Sequence, residues 1–112
     1  MEQDSLYIRH ILDAIGRIEA YISGKTKETF LNDRVTADAV AFQIGVIGEL
    51  AGKVSADGQA KYPDIPWYKI TGMRNRLFHD YLGTDWEVVW ETVITAISAL
   101  KAELLKQGYL NT

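Results

Sequence analysis

Thr84-Asp-Trp-Glu-Val-Val-Trp-Glu-Thr-Val-Ile-Thr-Ala-Ile-Ser-Ala-Leu-Lys-Ala-Glu-Leu104 decides the fold class. Trp86, Val89, Trp90, Val93, Ile97, Leu100 and Leu104 recur at steps of three and four. That is the period of a helix burying one stripe, and no strand keeps it. Thr84 and Glu87 have the spacing of a capping box, in which each satisfies the other's end of the first turn. The spacing predicts a helix from about Asp85 to Gln107, ended by Gly108.

Working back along the chain, the same period recurs. Ile8, Ile11, Leu12, Ile15, Ile18 and Ile22 predict a helix over about Gln3 to Ser23, closed by Gly24. Thr26 to Leu31 suits one short turn. Val40, Ile44, Ile47, Ala51 and Val54 stripe a helix from Arg34 to Ser55, with Asp33 as its N-cap. Gly45, Gly48 and Gly52 lie on that helix at the same steps. Each costs up to about 1 kcal/mol of helix propensity against Ala, so a row of them implies that another helix passes close by. A crossing within the chain is the simpler reading; a seam between two copies is the other. Asp57-Gly58 reads as a turn, and Tyr62-Pro-Asp-Ile-Pro66 as a rigid connection. Pro66 suits the first turn of a helix running to Asp80, and Gly83 breaks the chain after it. No window alternates as strands do. The expected fold is all-α, an antiparallel bundle of four to five helices over residues 1–112.

Composition narrows the chemistry. The chain has 112 residues, enough for one domain and too few for a second core. Apolar residues make up 47% and charged residues 24%, so a packed globule is expected. With no cysteine, disulfides, thiolate metal sites and cysteine nucleophiles are excluded. A net charge of −3 gives no general attraction for nucleic acid, so any such contact needs a local basic patch or an assembly. The acidic start Met1-Glu-Gln-Asp-Ser5 is unlike a secretory leader. No apolar run approaches the roughly 20 residues that cross a bilayer. A cytoplasmic address without membrane contact follows by elimination.

The local basic patch exists. Trp67-Tyr-Lys-Ile-Thr-Gly-Met-Arg-Asn-Arg-Leu-Phe-His-Asp-Tyr81 gathers Lys69, Arg74, Arg76 and His79 among aromatics, in an acidic protein with two histidines. On a helix, Ile70, Met73, Leu77 and Tyr81 share a face, and Arg74 falls within it. A charge there is expected to be paired or to face a cleft. His79 stands about 140° around from Arg74. The two converge only if the helix is distorted near His79, if Arg74 reaches far, or if a second copy brings its own pair across a dimer axis. The dimer answers best. Arginine and histidine without a metal can cleave RNA. The imidazole moves a proton to or from the 2′-hydroxyl or the leaving 5′-oxygen. The guanidinium holds the phosphate and stabilises charge in the pentacoordinate state. Asn75 could bond the phosphate or orient His79.

Blander readings stand beside these. A histidine near a helix end commonly serves the helix dipole. Arg76 and Asp80 have the spacing of a surface ion pair. His10 and Asp13 read as a solvated pair, and no second histidine completes a helical zinc site. No Walker-type loop or nucleophile elbow is present. Trp67, Trp86 and Trp90 read as core or interface anchors, with base stacking as the alternative for one of them.

The stretch Ile65-Pro-Trp-Tyr-Lys-Ile-Thr-Gly-Met-Arg-Asn-Arg-Leu-Phe-His-Asp-Tyr-Leu-Gly83 resembles the signature of the HepT-like family of the HEPN superfamily. Val46-Ile-Gly-Glu-Leu-Ala51 and Trp86-Glu-Val-Val-Trp90 are similar to its flanking helices, and the likeness runs from about Asp33 to Leu105. The resemblance implies a dimeric helical bundle in which two Arg-x4-His motifs line one cleft. It implies a metal-independent endoribonuclease without cofactor, the toxin of a type VII-like toxin–antitoxin pair. Arg74 and His79 would be catalytic, Asn75 their polar support, and Lys69 and Arg76 contacts for RNA. The implied antitoxin is an MntA-like nucleotidyltransferase that transfers AMP to Tyr81. The added bulk and negative phosphodiester would then keep RNA from the cleft. The competing reading is a non-catalytic subunit of a nucleotidyltransferase complex, binding a nucleotide or the partner protein.

Overall fold

The structure is a computed structural model. It describes residues 2–79, 84–106 and 108, with the side chains of Glu2, Arg76, Phe78 and His79 outside that description. The described residues form an all-α bundle, as the hydrophobic period predicts, and contain no strand.

Helix α1 spans Glu2–Ile22, and Gly24 follows with φ +76°, the left-handed backbone that ends a helix cheaply only at glycine. Helix α2 spans Lys27–Leu31 and is held by a Thr26–Thr29 capping box. Helix α3 spans Arg34–Lys53. Its N-cap is Asp33, whose carboxylate accepts from the Thr36 amide at 3.1 Å and from the Thr36 hydroxyl at 2.7 Å. The Lys25 ammonium lies 2.9 Å from the same carboxylate. These donors, Lys25 first, lower the Asp33 pKa to about 2.

Asp57-Gly58 departs from its expected turn. The segment is a short helix, α4, spanning Ala56–Lys61. Ser55 caps it, accepting from the Gly58 amide at 3.0 Å. The buried Asp4 carboxylate in turn accepts from the Ser55 amide at 2.9 Å and from its hydroxyl. This long-range cap explains why a turn-forming pair stays helical. Hydrogen bonds from Ser55 hold the Asp4 carboxyl below its ordinary range.

Helix α5 spans Trp67–His79 and α6 spans Trp86–Thr92. The α6 cap is Asp85, which accepts from the Glu87 and Val88 amides, in place of the expected Thr84. A π-helical turn at Val93–Ile97 then leads into α7, Ser98–Lys106. Hydroxyls in and beside this turn bond back to carbonyls: Thr92 to Val88 at 2.8 Å, Thr95 to Glu91 at 2.6 Å and Ser98 to Val93 at 3.2 Å. Such back-bonding loosens the regular ladder where the π turn sits. The buried stripe survives it, since Val93, Ile97, Leu100 and Leu104 all remain inside.

Helix α3 is central, packing along both α1 and α5. The terminal arm of α6, the π turn and α7 closes over α1 and α2. Phe30 lies fully inside with its ring 5.1 Å from Trp90, and Lys101 binds Glu19 at 2.9 Å. The Arg34 guanidinium stacks 4.5 Å from the Trp86 ring centroid, tying the start of α3 to α6. By length and a mean hydropathy of 1.3, α3 is apolar enough to cross a bilayer, against the expectation that no stretch would be. Half of it is buried inside the bundle, so packing against α1 and α5 accounts for its apolar stripe.

Candidate functional site

The basic stretch folds as α5, and three features fix how it sits. Pro66 donates nothing at the start, but its carbonyl accepts from the Lys69 and Ile70 amides at 3.0 and 3.1 Å. The buried Trp67 ring donates through Nε1 to the Gln59 and Tyr62 carbonyls at 3.1 and 3.2 Å. Ile70 and Leu77 are buried and Met73 packs beside them, which sets the rotation of the helix about its axis.

That rotation brings Arg74 to the α3 edge. A Cβ built on Gly48 would lie 2.6 Å from the Arg74 Cβ, 3.1 Å from the Ile70 carbonyl and 3.2 Å from the Arg74 amide. Only a residue without a side chain fits there, so Gly48 marks a close helix crossing within the chain, whereas a Cβ at Gly52 would meet only the Thr71 methyl at 3.7 Å. Glu49 follows Gly48, and its Oε2 lies 2.8 Å from Arg74 Nε. Arg74 Nη1 donates to Asn75 Oδ1 at 3.2 Å. The Arg74 side chain is 40% exposed and that of Glu49 52%. A guanidinium on an apolar helix face is thus paired at its edge and open to solvent, as its sequence position requires.

The helical backbone continues unbroken from Arg74 to His79. The two positions therefore stand about 140° apart, and distortion between them does not bring them together. The His79 side chain and all of Asp80 and Tyr81 lie outside the described residues, as does the Arg76 side chain and with it the Arg76–Asp80 pair. Asn75 is exposed beside Arg74. Lys69 is elsewhere: with Ile70 and Met73 it lines a groove of about 540 Å³ faced by Thr92, Ala96 and Leu100. Position 69 is also about 140° from position 74 on the helix. Trp67 and Trp90 are core, and Trp86 is half-buried under Arg34. His10 and Asp13 form an exposed pair at 3.7 Å. Among the described residues, no three His, Asp or Glu gather into a metal-holding group.

Glu49 is the site residue that spacing alone did not single out. Its signal was present in two halves: an arginine needing a partner, and a glycine row announcing where another helix approaches. The first acidic residue beside that approach is Glu49.

Chemically, the edge offers an oriented, solvent-facing cation with an amide neighbour, able to hold an anionic oxygen. No solved structure matches the chain. Curated relatives do. The chain is 36% identical to a Thermococcus cleftensis protein named "probable ribonuclease HepT", over 89% of this chain and 91% of the relative. It is 30% identical to a "putative RNase" of Caldanaerobacter subterraneus subsp. tengcongensis, over 88% of each. It is 38% identical to a Methanocaldococcus jannaschii protein named "gamma-glutamylcyclotransferase and putative RNase", of which it spans 46%. A family model described as "Ribonuclease HepT-like" matches residues 11–106, taking in both α3 with Glu49 and α5 with Arg74. The chain belongs to the HepT-like family.

Proposed function

We propose that this protein is a metal-independent endoribonuclease whose cleavage site combines Arg74 and His79. The observation that carries the reading is the partly exposed Arg74 guanidinium, held where Gly48 lets two helices cross closely in a HepT-like chain. Arg74 would hold the scissile phosphate and stabilise its pentacoordinate charge. His79 would move the proton of the attacking 2′-hydroxyl or the leaving 5′-oxygen. Asn75, bonded to the guanidinium, would support the phosphate.

The separation of about 140° between the two positions supports a site built from two copies, one giving Arg74 and the other His79. Lys69, on the groove side of α5, and Arg76 would then contact the flanking strand. The net charge of −3 supports a modest intrinsic affinity for RNA at physiological salt. In the cell the protein would be the toxin of a type VII-like pair, held silent by an MntA-like nucleotidyltransferase that places AMP on Tyr81.

The test is incubation of the purified, unmodified protein with RNA in EDTA. Cleavage should persist, leave 2′,3′-cyclic or 3′-phosphate ends, and vanish in Arg74→Ala and His79→Ala. Mixing the two variants should restore activity if the site is shared between copies. Intact RNA across varied substrates refutes the reading, and the family relationship would then point to a binding subunit. Intact mass after co-expression with the neighbouring nucleotidyltransferase gene should show added AMP, absent in Tyr81→Phe.

A further inference from the structure

Arg74 meets a carboxylate from another helix, and that contact has features a stabilising ion pair lacks. Both side chains stay in contact with solvent, Arg74 at 40% and Glu49 at 52% exposed, and a pair so screened adds little to stability. The bundle has little to gain from it. The local backbone nevertheless brings the two helices closer than any side chain at position 48 would allow, with that glycine immediately before the acid. The contact is also directional. Glu49 Oε2 meets Nε, and Asn75 Oδ1 accepts from Nη1 on α5 itself. The guanidinium thus has contacts on both helices, Glu49 on α3 and Asn75 on α5.

A long side chain left to itself samples many rotamers, and freezing it costs conformational entropy. A catalytic guanidinium that must wait for substrate to order it gives that free energy up at each turnover. An anchor on the Nε side orders the chain beforehand.

We infer that Glu49 is the positioning residue of the candidate ribonuclease site: its carboxylate fixes the Arg74 guanidinium, through Nε, in the orientation that receives the phosphate. This rests on the reading of Arg74 as a catalytic group. The role is that of a hydrogen-bond acceptor more than of a charge. A carboxylate near a phosphate repels it, so Glu49 works against affinity while it favours the rate.

The test compares Glu49→Ala with Glu49→Gln, each checked for wild-type thermal stability. Gln keeps an acceptor for Nε and drops the charge. Glu49→Ala should lower kcat about 10- to 100-fold, the scale of a small misplacement of a catalytic group, with KM unchanged or reduced. Glu49→Gln should restore most of the rate and keep the reduced KM. A second readout does not depend on catalysis. The Arg74 Nε–H signal, assigned by its loss in Arg74→Lys, should resist solvent exchange in the wild type and in Glu49→Gln, and broaden away in Glu49→Ala.

An unchanged kcat in Glu49→Ala overturns the inference. So does a Gln variant as slow as the Ala variant, or an Nε–H signal indifferent to position 49. If the wild type cleaves no RNA while the signal behaves as stated, the ribonuclease reading fails and Glu49 remains only the anchor of Arg74.

Discussion

Gly48→Ala probes the crossing on which the site depends, and its sign can be worked out in advance. Alanine at a helix-interior glycine ordinarily gains about 0.5–1 kcal/mol, because glycine has more backbone freedom to lose. At Gly48 the new methyl would stand 2.6 Å from the Arg74 Cβ, with the Ile70 carbonyl and Arg74 amide at 3.1 and 3.2 Å. Two of the three neighbours are backbone atoms and the third is a Cβ, so none can swing aside. Helix α5 must shift as a body, and overpacking of this kind costs about 1–3 kcal/mol. The net is a loss of about 1 kcal/mol at the middle of these ranges and up to about 2.5 kcal/mol. Gly52, one turn on, is the control. Its nearest neighbour would be the Thr71 methyl at 3.7 Å, ordinary contact, so Gly52→Ala should gain up to about 1 kcal/mol. The two substitutions differ by one methyl on one helix and should move stability in opposite directions. Urea denaturation with a common slope reads the difference, expected near 2 kcal/mol. By calorimetry the separation should be roughly 8 °C for a domain of this size. If Gly48→Ala gains stability as Gly52→Ala does, the close crossing is not there, and the placement of Arg74 beside Glu49 goes with it.

Other expectations can be checked with the same material. Phe30→Ala empties a fully buried position against Trp90 and should cost about 3–5 kcal/mol in chemical denaturation. Trp67→Phe removes the Nε1 bonds to Gln59 and Tyr62, whose carbonyls each retain a backbone partner, and leaves a void where the larger buried indole packed, so the loss should be about 1–3 kcal/mol. Asp33 is lowered to about 2 in the folded chain by Lys25 and Thr36, so its contribution is complete above the unfolded value near 3.8 and fades as pH falls towards 2. Thermal melts of Asp33→Asn should therefore lie below wild type at neutral pH and converge with it between about pH 4 and 2.

The parts of the fold that were legible in the sequence are those where one local signal decides. Ile8 through Ile18 and Val40 through Ala51 repeat at helical steps and are buried as that repeat requires. Asp33 precedes an apolar run and caps it. The misreadings share another cause. Asp57-Gly58 has the composition of a turn, and it is helical because Asp4, more than fifty positions away, supports the Ser55 cap. A Cβ at Gly58 would collide with that carboxylate and with Val54, so this glycine serves packing and not chain reversal. Thr84 lost the cap to its neighbour Asp85, a shift of one position that two adjacent capping residues leave open. The π turn has no periodic signature, since the stripe stays buried on both sides of it. Arg74 shows the intermediate case. Its position on an apolar face announced that it must be paired, whereas the identity of the partner is a tertiary fact carried by Glu49.

Placement and orientation of the guanidinium are supplied by different forces, and this bears on how the site can tolerate change. Placement comes from burial: Trp67, Ile70 and Leu77 seat α5, and Gly48 sets how near it lies to α3. Those terms are worth several kcal/mol together, and damage to them unfolds or shifts a helix. Orientation comes from a solvated pair worth about 1 kcal/mol at most, which can be lost while the bundle stays intact. Substitutions at Glu49 and Asn75 should accordingly alter what Arg74 does without altering the fold, whereas substitutions at Gly48 alter both. A change of activity at unchanged stability then identifies the orienting groups, and the Gly48 and Glu49 variants measured side by side separate the two contributions.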